Sequence, residues 1–106
     1  MFAANDDMAI GVLRALTEAG RRVPDDVSVV GFDDIPVAAY VSPPLTPARQ
    51  PFDAVATGGL RLLVHAVERP HEDLPPAADH PVELVVRAST APPPRRTPGR
   101  GRATSR

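Results

Sequence analysis

The feature that most limits the fold is an apolar run at residues 27–32, VSVVGF, which is rich in β-branched side chains. Such a run is typical of a strand that is covered on both faces, as in a parallel sheet. A helix is predicted before it, over residues 5–19. Asn5 is a good N-cap, and Gly20 followed by Pro24 ends the helix. The apolar face of this helix recurs at three-to-four spacing and consists of Ala9, Val12, Leu13, Leu16 and Ala19.

Residues 1–4 stand before this helix and are predicted to be the end of a first strand. A strand, a helix and a second strand form a βαβ unit, whose two strands are parallel, so the fold class is α/β. Four residues are few for a strand at the centre of a sheet. We therefore expect the chain to be a fragment of a larger α/β fold.

The second half of the folded part is predicted to hold one more helix and one more strand. Residues 35–51 are rich in proline, and within them residues 45–50 are expected to be extended without forming an interior strand. Residues 52–68 have helical periodicity. Gly58 and Gly59 lie within this helix at a cost in stability, which predicts close packing there. The last strand is predicted at residues 82–89.

Charge separates the end of the chain from the rest. Residues 91–106 contain five arginines and no acidic residue, whereas residues 1–90 contain seven arginines and 13 acidic residues. The segment 91–106 has no apolar periodicity and is predicted to be a disordered basic tail rich in proline and arginine. An arginine-rich tail could contact nucleic acid phosphates only without specificity.

Composition excludes several classes of protein and site. The absence of cysteine excludes disulfides, thiolate metal sites and cysteine nucleophiles. There is no apolar stretch of membrane-spanning length and no signal-peptide pattern at the N-terminus, so we expect a cytoplasmic protein without a membrane partner.

Polar residues follow both strands of the predicted βαβ unit. Asn5 and Asp6 follow the first strand, and Asp33 and Asp34 follow the second. Parallel strands end at one edge of the sheet, which is where open α/β sheets bind ligands. Amide and carboxylate groups together can donate to and accept from the hydroxyls of a sugar. Structural roles compete: Asn5 could serve only as the helix N-cap, and Asp34 as the cap of a turn that begins at Ile35.

Other chemistries fit the sequence less well. Asp33 and Asp34 resemble the magnesium-binding carboxylates of receiver domains, but the lysine those domains also use has no counterpart here. Adjacent residues of a strand point in different directions, so the same pair does not suit glycosidase chemistry. His65, His71 and His80 lack the spacing of metal ligands. We therefore predict no enzyme activity, no cofactor and no metal site.

The residues that carry a family resemblance cover nearly the whole folded part, from Phe2 to about Thr90. They are FAANDDMAIGVLRALTEAGRRVPDDVSVVGFDDIPVAAYVSPPLTPARQP and, later, PVELVVRAST. This pattern resembles the C-terminal sensor region of the LacI/GalR family of transcription regulators. The resemblance implies a fold like that of type I periplasmic binding proteins, in which two lobes are joined by three crossing segments and hold a small effector between them.

The resemblance also implies site residues and lobes. Asn5 and Asp33 match positions that bind the effector, usually a sugar or a nucleobase, and Gln50 matches a position in the third interlobe crossing. Residues 1–90 would form a partial sensor domain, made of the C-terminal lobe and one helix of the N-terminal lobe at residues 52–68. Pro47 departs from the family pattern, which commonly has a threonine there, and this puts the hydrogen bonding of that crossing in doubt.

The function implied is sensing of a small-molecule effector, expected to be a sugar, by a regulator that is a homodimer when full length. Operator DNA would be bound only through a helix-turn-helix head, to which nothing in these 106 residues corresponds. Two alternatives stay open. One is a fragment of an extracytoplasmic sugar-binding protein of a transporter, with the same cleft chemistry, and the other is an orphan fragment that binds nothing.

We also expect the isolated chain to be poorly stable or to self-associate, because its sheet edges are unprotected.

Overall fold

The computed structural model describes residues 1–95 and has the predicted α/β architecture. Its elements are α1 (Asp6–Glu18), β1 (Val30–Asp33), β2 (Thr46–Arg49), α2 (Phe52–Glu68) and β3 (Glu83–Leu84). A short 3-10 turn at Pro36–Ala39 separates β1 from β2. The sheet has the order β1-β2-β3, with β1 parallel to β2 and β2 antiparallel to β3. Most of the predicted tail, residues 96–106, lies outside the described residues.

The first βαβ unit forms in part, because the strand predicted at residues 1–4 is reduced to a single bridge. Phe2 makes an isolated parallel bridge with Val30, so the N-terminal residues do run beside β1. Between them, α1 begins after Asn5, whose side-chain oxygen accepts a hydrogen bond from Met8 N at 2.8 Å. Gly20 follows the helix with φ 71°, the left-handed conformation that glycine adopts without strain.

The core lies between α1 and the sheet. Leu13 from α1 is 5% exposed, and Val29 and Leu45 from the segments around β1 and β2 are fully buried. Full burial of one such side chain contributes about 2 kcal/mol to stability. The whole buried apolar cluster is small and consists of Ala3, Ala9, Leu13, Val29, Ala38 and Leu45.

The strand predicted at residues 27–32 is present, but its bounds are Val30–Asp33. Regular pairing begins at Val30 because both neighbours meet the strand there, Phe2 on one side and Thr46 on the other. The preceding residue, Val29, instead donates its N–H to the carbonyl of Ser89 at 2.9 Å. The prediction of a strand was correct, and the prediction of its ends was wrong.

The prediction that residues 45–50 form no interior strand is wrong. Thr46–Arg49 is β2, the middle strand of the sheet, and Pro47 lies within it opposite Gly31. Proline is tolerated because only its carbonyl is used, which accepts from Val85 N at 3.0 Å. The regular pairing of β2 with β3 covers only the two residues after Pro47, so this pairing does not need a donor from proline.

The last strand is shorter than the predicted residues 82–89, since β3 covers only Glu83–Leu84. The rest of that segment still follows β2, but side chains replace the regular backbone ladder. Thr46 Oγ1 accepts from Arg87 N at 2.8 Å, and Ser89 Oγ accepts from Thr46 N at 2.8 Å. Ser89 is fully buried, and its hydroxyl also donates to the carbonyl of Val29 at 2.6 Å.

The second helix, α2, has the predicted bounds, yet none of its residues is buried. The close packing predicted at its glycine pair is wrong for Gly59, where an added Cβ would meet nothing within 4 Å. At Gly58 such a Cβ would meet only His80 Nε2, at 3.4 Å. The helix forms from its own periodicity and backbone hydrogen bonds, whereas close packing needs a neighbouring element. Its exposed large apolar residues are Phe52, Val55, Leu60, Leu63, Val64 and Val67.

Neither helix in the part of the chain that the structure describes has the length and hydropathy needed to cross a membrane.

Candidate functional site

Polar residues from three elements meet at one edge of the sheet. Asp33 ends β1, Gln50 follows β2, and Asp6 opens α1. The start of α1 is tied to the segment after β1, because Ile35 N donates to Asp6 Oδ2 at 2.8 Å. The structure thus brings the beginning of α1 and the end of β1 together, as the βαβ topology predicts.

A cleft of about 700 Å³ opens at this edge. A cleft of this size is within the range of small-molecule sites. Its lining combines polar and apolar residues and includes the start of α2. The polar and aromatic residues that line it are Asp33, Asp34, Arg49, Gln50, Phe52 and Asp53.

The cleft contains two of the three predicted effector-binding residues. Gln50 Nε2 donates a hydrogen bond of 2.8 Å to Asp33 Oδ1, and both residues are half-buried. A carboxylate accepts through two oxygens, and a primary amide adds one oxygen and two N–H groups. The pair can therefore accept from and donate to neighbouring hydroxyls of a polyol while it keeps its own hydrogen bond.

Asn5, the third predicted residue, lies at the same edge but is not among the residues that line the cleft. Its side-chain oxygen serves as the N-cap of α1 by accepting from Met8 N. The structural role considered for Asn5 is therefore present. A contact between Asn5 and an effector stays a prediction.

The structure gives Asp34 a role that differs from the predicted turn cap. Ile35 begins the 3-10 turn without any side-chain cap, so the expectation that Asp34 caps it is wrong. Asp34 instead accepts from two arginines: from Arg87 Nη1 at 2.8 Å and from Arg49 Nε at 2.8 Å. The hydrogen bond from Arg87 is the main cause that holds the pKa of Asp34 below its ordinary value of 3.8, and Arg49 adds to this against the opposing effect of burial.

Sequence reasoning missed Arg87, which lies 53 residues from Asp34. Besides its bond to Asp34, its guanidinium donates to the carbonyl of Leu45 at 3.0 Å. Its side chain is 19% exposed, so the last segment of the described chain is held against the cleft edge by a largely buried ion pair. The available signal was a charged residue inside an otherwise apolar run, Val85 to Ala88.

The backbone of the two aspartates is unusual. Asp33 has φ 109° and Asp34 has φ 65°, which are left-handed values that residues other than glycine rarely adopt. Such conformations cost free energy and persist where surrounding contacts impose them. The turn that carries Asp33 is therefore held in place by its neighbours.

Among residues 1–95, no group of three or more histidine, aspartate or glutamate side chains is placed to hold a metal ion.

Comparison with known proteins identifies the family. The family model for the periplasmic binding protein-like domain, which describes the sequences of that family, matches residues 1–90 of this chain. A lactose operon repressor from Rhizobium radiobacter is 42% identical over 93 residues, which are 88% of this chain and 80% of that protein. The chain belongs to the LacI family.

Solved structures of other LacI-family members have the same fold. A LacI family transcriptional regulator from Enterococcus faecalis V583 with bound ribose has a TM-score of 0.80 and 40% identity, and the match covers 88% of this chain and 34% of that one. A complex of the transcriptional regulator CelR with cellobiose has a TM-score of 0.76 and 41% identity, over 83% of this chain and 27% of that one. These LacI-family relatives are regulators, which favours the regulator over the transporter alternative.

The chain spans about a quarter of the length of most of the curated LacI-family relatives it matches first, with 26% for four of them and 21% for three.

Proposed function

We propose that this chain is the effector-sensing part of a LacI/GalR-type transcription regulator and that it binds a sugar in the cleft at the edge of the sheet. The observation that carries the proposal is the hydrogen bond between Asp33 and Gln50 on the wall of that cleft. Family membership supports it, as do the relatives with bound ribose and cellobiose.

We assign residues 1–90 to a partial sensor domain. The core around α1 and β1 corresponds in this proposal to the C-terminal lobe, and α2 to one helix of the N-terminal lobe. The absence of buried residues on α2 supports this division, because a helix of another lobe would bury its apolar face against that lobe. Operator DNA is assigned to a head outside these 106 residues, in a homodimer that acts in the cytoplasm without catalysis.

The proposed mechanism is a shift between two arrangements of the lobes. A sugar that contacts Asp33 and Gln50 on one side of the cleft and the other lobe on the opposite side favours the closed arrangement. This arrangement changes the separation of the DNA-binding heads in the dimer, and the coupling is reciprocal, so operator DNA changes sugar affinity by the same factor.

The first test is calorimetric titration of the purified protein with ribose, cellobiose and lactose. We expect saturable heat with at least one sugar, and a loss of affinity of tenfold or more, about 1.4 kcal/mol, in the Asp33→Ala variant, because a hydrogen bond to a charged group is lost. Gln50→Ala is expected to weaken binding in the same direction. Asp25→Ala is the matched control, since it removes an exposed carboxylate that does not line the cleft.

A second measurement separates sensing from DNA binding. In the regulator that carries this chain, Asp33→Ala should weaken the response to the sugar and leave operator affinity unchanged. The proposal is rejected if no sugar gives saturable heat, or if Asp33→Ala abolishes operator binding while sugar affinity stays normal.

A further inference from the structure

The side chain of Asp6 is fully buried at the first residue of α1, and the proposed function does not use it. Its Oδ2 accepts from Ile35 N at 2.8 Å. Within residues 1–95, its Oδ1 is buried and has no hydrogen-bond partner. Burying a carboxylate costs free energy unless its contacts compensate. An apolar residue would avoid this cost. The role of a carboxylate at this position therefore rests on its hydrogen bond with Ile35 N.

That contact is made directly after the turn whose two aspartates line the cleft. Ile35 directly follows Asp33 and Asp34, the two residues in the left-handed conformation. The side chains of both aspartates are held by residues in or beyond the other two strands, Asp33 by Gln50 and Asp34 by Arg49 and Arg87. The bond from Ile35 N to Asp6 is different in kind, because it holds the backbone immediately after the turn.

Gly31 provides an independent sign that the position of this carboxylate is built into the fold. A Cβ added at Gly31 would overlap Asp6 Oδ1 and lie 3.0 Å from Leu45 Cδ2. No real Cβ approaches an oxygen so closely, so the carboxylate occupies the space that glycine leaves in β1. The φ of Gly31 is not positive, so this position requires the small size of glycine and not its conformational freedom.

We propose that Asp6 is a positioning residue for the cleft: by accepting from Ile35 N, it holds the left-handed turn at Asp33 and Asp34, so that the Asp33 carboxylate meets Gln50. The consequence for the ligand rests on the proposed function. The consequence for the Asp33–Gln50 hydrogen bond does not, and it can be measured without any sugar.

The sugar-free test uses the side-chain amide of Gln50 in proton–nitrogen NMR spectra, because this amide donates to Asp33 Oδ1. The Asp33→Ala variant removes this hydrogen bond, so its spectrum gives the reference positions of the Gln50 amide signals without the bond. We expect Asp6→Ala and Gly31→Ala to move the signals in the same direction. Asp6→Asn keeps an oxygen that can accept from Ile35 N, and its signals should stay near those of the unaltered protein.

Leu16→Ala is the control for a general loss of packing. Leu16 lies at the other end of α1 and packs, partly buried, against the core. This variant should leave the Gln50 signals in place. The proposal is overturned if the signals do not move in Asp6→Ala, or if they move equally in Leu16→Ala or Asp6→Asn. Should Asp6→Ala not fold, Gly31→Ala and Asp6→Asn still decide the question.

The ligand test is a double-mutant cycle on sugar affinity. We expect Asp6→Ala alone to weaken binding of the sugar found by calorimetry by about tenfold or more and, in an Asp33→Ala background, to weaken it by less than about twofold, because Asp6 acts through Asp33. Equal losses in the two backgrounds would overturn the positioning role. If no sugar binds the unaltered protein, the proposed function fails while the NMR result still decides the role of Asp6.

Discussion

The two helices of this chain have similar sequence patterns and different surroundings. Both are amphipathic and both form close to where their periodicity predicts, at Asp6–Glu18 and Phe52–Glu68. In α1, residues Asp6, Ala9 and Leu13 are buried against β1, whereas α2 buries none of its residues. An apolar face thus predicts that a helix forms, but whether the face is covered depends on another element.

The largest expected difference between the two regions is in the cost of truncating a leucine. Leu13→Ala, in α1, should lower the free energy of unfolding by about 3 kcal/mol, because it opens a cavity in a small core. Leu63→Ala, in α2, removes a side chain that is 61% exposed and should change this free energy by less than about 0.5 kcal/mol. Urea denaturation followed by circular dichroism measures both.

A cost at Leu63 as large as that at Leu13 would break the comparison, because α2 would then bury its face in solution. Sedimentation of the same samples would tell whether a second copy of the chain covers it. The expectation that the isolated chain is poorly stable or self-associates is tested by these measurements too: a cooperative transition in a stable monomer would contradict it.

A smaller effect on the free energy of unfolding is expected from the ion pair between Arg87 and Asp34, which joins the last described segment to the end of β1. Arg87→Met should lower the free energy of unfolding by about 2 kcal/mol, because it leaves the mostly buried Asp34 without its main partner. Arg14→Met is the matched control. It breaks an exposed pair with Glu18, and its effect should stay below about 0.5 kcal/mol. Equal losses in the two variants would mean that the buried pair adds nothing beyond a surface contact.

The smallest effect is the pH dependence of that pair. The pKa of Asp34 is lowered in the folded state, mainly by Arg87, so the stability that its charge contributes is fully present above its ordinary value of 3.8. This contribution is lost as the pH falls through the lowered pKa. The difference in unfolding free energy between the unaltered protein and Arg87→Met should therefore shrink as the pH decreases below about 4. A difference that is the same at pH 5 and well below pH 4 would contradict the assignment.

The sequence predicted where the residues of the candidate site lie in the fold better than it predicted their contacts. Asp33 was expected at the exit of a parallel strand, and β1 does end at Asp33. Gln50 was expected near the cleft from the family resemblance, and it lines the cleft and donates to Asp33. The N-cap role of Asn5 was recognised, since a cap depends only on residues three positions apart.

The contacts of Asp34 and Asp6 could not be read from the sequence. Asp34 pairs with Arg49 and Arg87, which lie 15 and 53 residues away. Asp6 accepts from Ile35 N, 29 residues away. The local sequence pattern does not predict such partners, because many arginines and backbone amides are available and only the fold selects among them.

By itself, the sequence determined both helices, the presence of β1 and which edge of the sheet carries the polar residues, because periodicity, caps and chain direction are local properties. Only the tertiary structure decided that Pro47 lies in the middle strand, that β3 is two residues long, and that α2 stays uncovered. The physical reason is that pairing and burial depend on which distant segment lies alongside, and a residue's own neighbours in the chain do not specify that.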